Sequence, residues 1–382
     1  MTATTHSTQS TARRMTLFAA LELGEGKWEL AFTTDGGQRP RRRVIPARDV
    51  TSLAQEIANA KRRFGLPPDV AVQTCYEAGR EGFWLHRWLT AQGIANVVVE
   101  ASSIEVKRRA RRAKTDRLDA EKLLQQLRRW AEGERKVWSV VRVPSVADED
   151  ARQLHREVET VASERTRVLN RITCLLATQG LRWDGASSLP PWVATARRWD
   201  GEPVPPRLRI RLEREWVELE ALAHRRKAIE MQRATELETN QDAAIGLVRQ
   251  LLAVRGIGIN GAWLLVMEIF GWRDIRNRRQ LAGLTGLDGS PYTSGEAEHE
   301  QGISKAGNRH VRWMMVQLAW GWLRYQRTSA LTRWFHAQFG SGGKRRRRIG
   351  IVALARKLLI ALWRYLRTGA LPDGAVLKPV SV

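Results

Sequence analysis

The chain has 382 residues, room for two or three domains, and carries 64 Lys and Arg against 40 Asp and Glu, a net charge of +24 and a pI near 11.2. Such an excess fits a polyanionic partner, while 43% hydrophobic residues allow a buried core and exclude a disordered basic tail. No apolar run reaches the length of a membrane span, and residues 1–14, polar and Thr/Ser-rich, lack a signal peptide's apolar segment and read as a disordered leader.

In chain order, residues 16–33 hold two apolar runs parted by glycines and predict a β-hairpin, with Arg41–Ile45 as a third strand. Ala47–Phe64 has helical spacing and ends near Gly65, Pro67 and Pro68. Val70–Tyr76 predicts a strand, Gly82–Gln92 an amphipathic helix, and Ile94–Val99 a strand. A helix carrying Asp116 and Asp119 follows. That order matches an RNase H-like α/β domain over 15–143, a fold that periodicity alone does not single out.

A helical texture begins after Pro144. Leu154, Val158, Val161, Val168, Ile172 and Leu175 mark a heptad seam, with Arg165 in its one missing place. Gly180–Pro206 reads as a loop and Arg207–Ala253 as a second long helix. Over 144–250 the two form either an antiparallel coiled hairpin or a plain helical bundle. A helical domain over 251–370 and a tail over 371–382 complete the chain. Val254–Gly258 joins two helical patterns, as a phosphate-binding glycine turn or a helix C-cap. Gly286–Ser304 reads as a loop, about 308–325 and 349–366 as helices, and Gly340–Arg348 as a glycine linker. That linker ends in Lys344, Arg345, Arg346, Arg347 and Arg348, either a solvated run or a phosphate contact. Among the sixteen tryptophans, Trp216, Trp313, Trp320, Trp322 and Trp363 fall in helical patterns and are expected to pack, with a minority left to stack on bases. Two cysteines, Cys75 and Cys174, are too few for a disulfide framework or a zinc site and point to the reducing cytoplasm.

The densest chemistry lies in Lys114-Thr115-Asp116-Arg117-Leu118-Asp119-Ala120. Two carboxylates three residues apart share a helix face and sit among Lys107, Arg108, Arg109, Arg111, Arg112 and Lys114. A carboxylate pair suits a hard divalent cation and the cations suit a polyphosphate, although an isolated D-x-x-D more often belongs to an ordinary solvated helix. Glu22 ends the first apolar strand and Glu77 follows the Val70–Tyr76 strand. Strand ends in α/β sheets form ligand sites, where four acids can hold two Mg²⁺ ions roughly 4 Å apart. Glu25, Glu29 and Glu81 are competing acids nearby. Farther on, Ser294 precedes Gly295, a turn residue or a nucleophile, with Lys305, Asn308, Arg309 and Arg312 as donors to a phosphate.

Together these motifs resemble the bridge-RNA-guided transposases of insertion sequence family one-ten. The resemblance rests on Ala-Leu-Glu-Leu around Glu22, Tyr-Glu-Ala-Gly-Arg-Glu-Gly-Phe-Trp from Tyr76, and Lys-Thr-Asp-Arg-Leu-Asp-Ala from Lys114. It continues through Arg-Gly-Ile-Gly at 255–258, Ser294-Gly295, Ile-Ser-Lys-Ala-Gly-Asn-Arg at 303–309 and Ala-Arg-Lys-Leu-Leu at 355–359, in the family's order over about residues 16–368. It implies a RuvC-like domain, a coiled coil and a helical transposase domain. By the same resemblance Glu22, Glu77, Asp116 and Asp119 bind Mg²⁺, and Ser294 attacks DNA to give a 5′-phosphoserine intermediate. A structured noncoding guide RNA would pair with donor and target DNA. A homo-oligomer, dimer to tetramer, would build composite sites from different subunits. Glu22 stands where the family's pattern has aspartate. The competing readings are a RuvC-type nuclease that uses water, and an RNA- or DNA-binding protein that has lost its chemistry.

Overall fold

The structure, a computed structural model, describes residues 15–36, 39–104, 116–185, 187–294 and 297–379, and only the backbone at 102, 116–118, 290–294 and 297–301. The expected leader, residues 1–14, lies outside the described residues, as do Lys107, Arg108, Arg109, Arg111, Arg112 and Lys114. The chain divides into two compact units, Met1–Pro144 and Ser145–Val382.

The first unit is a five-stranded mixed sheet between helices. Strands β1 (Thr16–Leu23), β2 (Lys27–Thr34) and β3 (Arg41–Pro46) form an antiparallel meander. Helix α1 (Val50–Arg63) leads to β4 (Ala71–Glu77), and α2 (Trp84–Ala91) to β5 (Ala95–Val99). The spatial order is β3-β2-β1-β4-β5, with β4 parallel to β1 and β5 parallel to β4. β1 is central, and its run Leu-Phe-Ala-Ala-Leu is buried on both faces, as an interior strand between two helical layers requires. Asp49 caps α1 by accepting from the Ser52 N–H, and Lys61, Arg62 and Arg63 close it at the negative end of the dipole. Leu53, Ile57, Leu85 and Leu89 of α1 and α2 pack on one sheet face with Leu17, Leu21, Trp28 and Tyr76. On the other face Ala120, Leu123, Leu124 and Leu127 of α3 (Asp116–Ala131) meet Phe18, Ala20, Ala31 and Cys75.

The second unit is mostly helical. A Ser145–Asp148 capping box starts the short α4 (Val146–Asp150). Helices α5 (Gln153–Ala177) and α7 (Pro206–Thr239) pair along Val158, Val161, Val168 and Ile172 against Leu212, Leu219, Leu222 and Ile229. Arg171 near the end of α5 bonds Glu215 and Glu218 near the start of α7, while Glu157 near the start of α5 meets Arg225 farther along α7. The pair is therefore antiparallel. Leu176 rather than Leu175 completes the buried seam, and His155 rather than Leu154 is fully buried, because an α-helix drifts off a strict heptad.

The 180–206 segment contains a helix, α6 (Leu189–Thr195), whose Leu189 and Val193 are buried. The expected helix 207–253 is broken at Asn240, whose backbone leaves helical angles and whose Oδ1 accepts from the Asp242 N–H at 2.8 Å, a turn that competes with the helix. It resumes as α8 (Ala243–Ala253). The 286–304 segment is not a loop but a hairpin of β6 (Gly289–Ser294) and β7 (Ala297–Ile303). Its strands lack apolar alternation, so no period-two signal marks them.

The remaining helices share one core. They are α9 (Ile259–Leu265), widening into a π-turn over Val266–Phe270, α10 (Arg278–Thr285), α11 (Arg309–Tyr325), α12 (Ala330–Phe339) and α13 (Lys344–Thr368). Lys344–Arg348 is not the end of a linker but the start of α13, with Gly343 as N-cap. Arginine is a good helix former, and apolar periodicity, which begins only at Ile349, set the expected boundary too late. Trp322 is buried, but Trp313 and Trp320 are 58% and 42% exposed and so are not core residues. Among the described residues no helix is long and apolar enough to cross a membrane.

Candidate functional site

In the first unit, strand alternation decides which acids face α3. On β1, Leu17, Ala19 and Leu21 join the core beneath α1 and α2, and Phe18 and Ala20 the core beneath α3. Glu22 continues the second series. On β4, Val72 and Tyr76 join the first core and Cys75 the second, so Glu77 also continues the second. Leu21 stands opposite Tyr76 in the parallel pairing, which makes Glu22 and Glu77 neighbours at the carboxyl ends of adjacent strands.

Helix α3 runs opposite to β1. The Arg128 guanidinium near its end donates to the Asp35 carbonyl at 3.3 Å, and the Asp35 carboxylate accepts from the Thr16 N–H at the start of β1. Nearer its start, the Leu123 carbonyl lies 3.8 Å from the Cys75 Sγ. The first turn of α3, with Asp116 and half-buried Asp119, therefore lies toward the strand ends that bear Glu22 and Glu77. Asp116 is described by its backbone alone. Among the described residues no group of three or more His, Cys, Asp or Glu is placed to hold a metal ion, so Glu22, Glu77 and Asp119 do not by themselves make one.

The competing acids separate. Glu81 is buried and held by Arg48 at 2.6 and 3.0 Å, with the Trp84 Nε1 at 3.3 Å. Glu25 pairs with Arg80 at 2.6 Å, and the hydrogen bond from that guanidinium draws its carboxyl below the usual range. Glu29 stands opposite Glu22 across the β1–β2 pair, 3.3 Å from the Lys27 ammonium. Of the three, only Glu29 belongs to the face of Glu22 and Glu77.

In the second unit Ser294 ends β6, across from Ala297 at the tip of the hairpin. The hairpin base is clamped: the Ser304 N–H donates to the Asp288 carbonyl at 2.9 Å and its hydroxyl to the Asp288 carboxylate at 2.6 Å. The loop after β7 lies backbone to backbone on the end of α10. Gly286 and Gly307 have φ of 62° and 74°, and a Cβ on either would stand 1.8 Å from the Ala306 oxygen or 2.4 Å from the Leu284 oxygen. Lys305 is exposed and takes a left-handed φ of 58°, a conformation that strains a non-glycine residue. Arg312 donates from Nη1 to the Thr285 and Ala306 carbonyls at 2.9 and 3.0 Å and so braces this loop. Arg309 and Lys344–Arg348 are exposed.

Asn308 leads to a group that the sequence did not point out. Its Oδ1 caps α11 by accepting from the His310 and Val311 N–H groups, and its Nδ2 donates to Glu268 at 3.0 Å. Glu268 sits in the π-turn and is 4% exposed. It also accepts from the His155 Nε2 at 2.9 Å and the Arg156 Nε at 3.0 Å. Burial alone would raise its carboxyl, but the hydrogen bonds from His155 and Arg156 outweigh that and hold it at about 2. Beside it, buried Arg152 lies over Trp272, 4.9 Å from the ring centre. The available signal was a lone acid inside Val-Met-Glu-Ile-Phe, since a charge in an apolar run is buried only with partners. Through Asn308 this buried anion fixes the loop that closes the Ser294 hairpin.

Comparison with known proteins bears on this part of the chain. The sequence model described as Transposase IS116/IS110/IS902 family matches residues 248–334, which take in the glycine turn, Ser294 and the loop to Asn308. A Sinorhizobium fredii protein named "Putative transposase y4rJ" is 38% identical over 385 residues, covering 95% of this chain and 94% of that one. The transposase for insertion sequence element IS1328 of Yersinia enterocolitica is 27% identical over 228 residues, 58% of this chain and 64% of its own. With that 38% identity sustained along nearly the whole of two chains, the protein belongs to the IS116/IS110/IS902 family of transposases.

Proposed function

We propose that this transposase is an RNA-guided DNA recombinase that cuts and rejoins strands through Ser294. The observation that carries the proposal is the placement of acids in the first unit. Strand register and helix direction bring Glu22, Glu77 and the first turn of α3 to one end of one sheet face. The order β3-β2-β1-β4-β5, with an antiparallel meander and two parallel additions, supports a RuvC-like, RNase H-like reading of this unit. On that reading 15–143 is the RuvC-like domain, 144–250 the coiled coil and 251–370 the transposase domain.

A donor set made only of carboxylates fits Mg²⁺, which favours hard oxygen ligands; Glu22, Glu77, Asp116 and Asp119 would hold it. When bound, the metal supplies Lewis acidity toward phosphate oxygens. The Ser294 Oγ attacks the scissile phosphorus. The Oγ–P bond forms as the P–O3′ bond breaks, and the serine proton is balanced by the one that completes the 3′-hydroxyl. The product is a 5′-phosphoserine ester, and attack by another 3′-hydroxyl reverses the step onto a new strand. Lys305, Arg309 and Lys344–Arg348, all exposed, would meet phosphates. Donor and target DNA and a structured guide RNA are the proposed partners, held by a homo-oligomer of two to four copies in the cytoplasm.

Protein, guide RNA, element DNA and Mg²⁺ are incubated and then denatured. The expected result is a protein–DNA adduct that survives denaturation in wild type and is absent from Ser294→Ala and Asp116→Asn, both with wild-type melting temperatures. Cleavage without any adduct overturns serine attack in favour of water. Full activity in Asp116→Asn overturns the metal site.

A further inference from the structure

Between Gly302 and Pro372 the sequence holds fifteen Lys and Arg and neither Asp nor Glu. Helix α11 lies within that stretch, and Arg309, Trp313, Gln317, Trp320 and Arg324 are all exposed on it. Their steps of four, four, three and four residues describe one helix face. The opposite face is ordinary core, with Val311, Met315, Leu318, Ala319 and Trp322 buried. Two large aromatic rings thus stand in solvent on a line that begins and ends in arginine. Past its carboxyl end, Arg255, Arg324, Tyr325, Arg327, Thr328 and Val376 surround a cleft of about 500 Å³. Tyr325 is 44% exposed there, with the Arg324 guanidinium 5.4 Å from its ring centre. Gly256 leaves room for that ring, since a Cβ on it would come within 3.0 Å of the Tyr325 Cβ.

We infer that this stripe is a platform for unpaired nucleotides, with bases stacked on Trp313 and Trp320 and flanking phosphates held by Arg309 and Arg324. The inference rests on the nucleic-acid reading above and adds to it the state of the nucleic acid and the surface that holds it. Charge complementarity selects the occupant. A second copy of this +24 chain would bring cations against cations, and an apolar helix would offer the arginines no anion. A polyanion whose bases have open aromatic faces satisfies rings and arginines together. A duplex hides those faces in its own stack, so the strand on this surface is single. The two tryptophans are seven residues apart, about 10 Å along the helix at ~1.5 Å per residue. That is about three stacked steps of ~3.4 Å, so the rings bracket a short run of bases.

Full-length protein is titrated with short labelled single strands of DNA and of RNA, and with a duplex of the same DNA sequence, over a range of salt. Trp313→Ala and Trp320→Ala are each expected to weaken single-strand binding about tenfold. Duplex binding should stay within about twofold, the range of a surface change. The salt slope should not move, and Trp313→Phe and Trp320→Phe should restore most of the affinity. Arg309→Ala and Arg324→Ala should instead flatten the single-strand slope by about 0.7 each. Preference for one labelled strand identifies whether DNA or RNA occupies the stripe. Unchanged binding in both Trp→Ala variants overturns the inference, as do equal losses on single strands and duplex, or a drop in oligomeric mass that marks a copy-to-copy interface. Wild type binding both forms while the variants match it removes this inference alone. Wild type binding neither removes the nucleic-acid reading as well.

Discussion

Replacing Glu268 by glutamine probes the network beneath the serine hairpin. The Glu268 side chain is 5% exposed and accepts hydrogen bonds from His155, Arg156 and Asn308. Its carboxyl is held at about 2 instead of 4.5, and at ~1.4 kcal/mol per pKa unit that difference is worth about 3 kcal/mol. Glutamine keeps the shape, removes the charge and turns an amide N–H₂ toward groups that are themselves donors. Breaking one side of a buried ionic pair costs ~3–5 kcal/mol, the same range. Because the folded carboxyl is depressed, its contribution is complete above pH 4.5 and fades as pH falls toward about 2. At pH 3 only about 1 kcal/mol should remain. Urea unfolding followed by tryptophan fluorescence, at about pH 7 and about pH 3, measures the gap between wild type and Glu268→Gln. A gap below ~0.5 kcal/mol near neutrality, the scatter of a surface change, would falsify the account. So would a gap that does not shrink in acid.

Cys75 is fully buried and burial pushes its thiol up, whereas Cys174 is exposed; a thiol reagent should therefore titrate one cysteine in native protein and both after denaturation. Gly286→Ala should destabilise by about 3 kcal/mol or more, since the left-handed backbone and the overlap with the Ala306 carbonyl both oppose a side chain. Gly283→Ala, with nothing within 4 Å of the added carbon, should gain ~0.5–1 kcal/mol of helix stability; equal melting temperatures for the two variants would refute the close-approach argument.

The sheet of the first unit was legible because its strands are short apolar runs set between glycines, prolines and amphipathic helices. Glu22 and Glu77 could be singled out as acids that terminate such runs. That both face α3 required the register, which sequence spacing does not contain. The β6–β7 hairpin was hidden because Gly-Ser-Pro-Tyr-Thr-Ser and Ala-Glu-His-Glu-Gln-Gly-Ile carry no alternation of apolar and polar residues. The start of α13 was hidden for a related reason: a run of arginines has no periodicity, yet nothing in it resists a helix. Glu268 and His155 meet across 113 positions, and no local pattern joins them. Trp313 and Trp320 read as packing residues in the sequence because helical spacing reports that residues share a face, not whether the face is covered.

The two margins of the five-stranded sheet differ from those of an open sheet. Along β5, the Glu100 and Val141 N–H groups bond the Ser139 and Val98 carbonyls, and Val99 bridges Val140. On the other margin β3 presents Arg41, Arg42 and Arg43, two of them tied to Glu56 and one to Glu121. An incoming strand would have to displace the first and would meet three fixed cations on the second. Both margins therefore oppose edge-to-edge pairing of one copy's sheet with that of another.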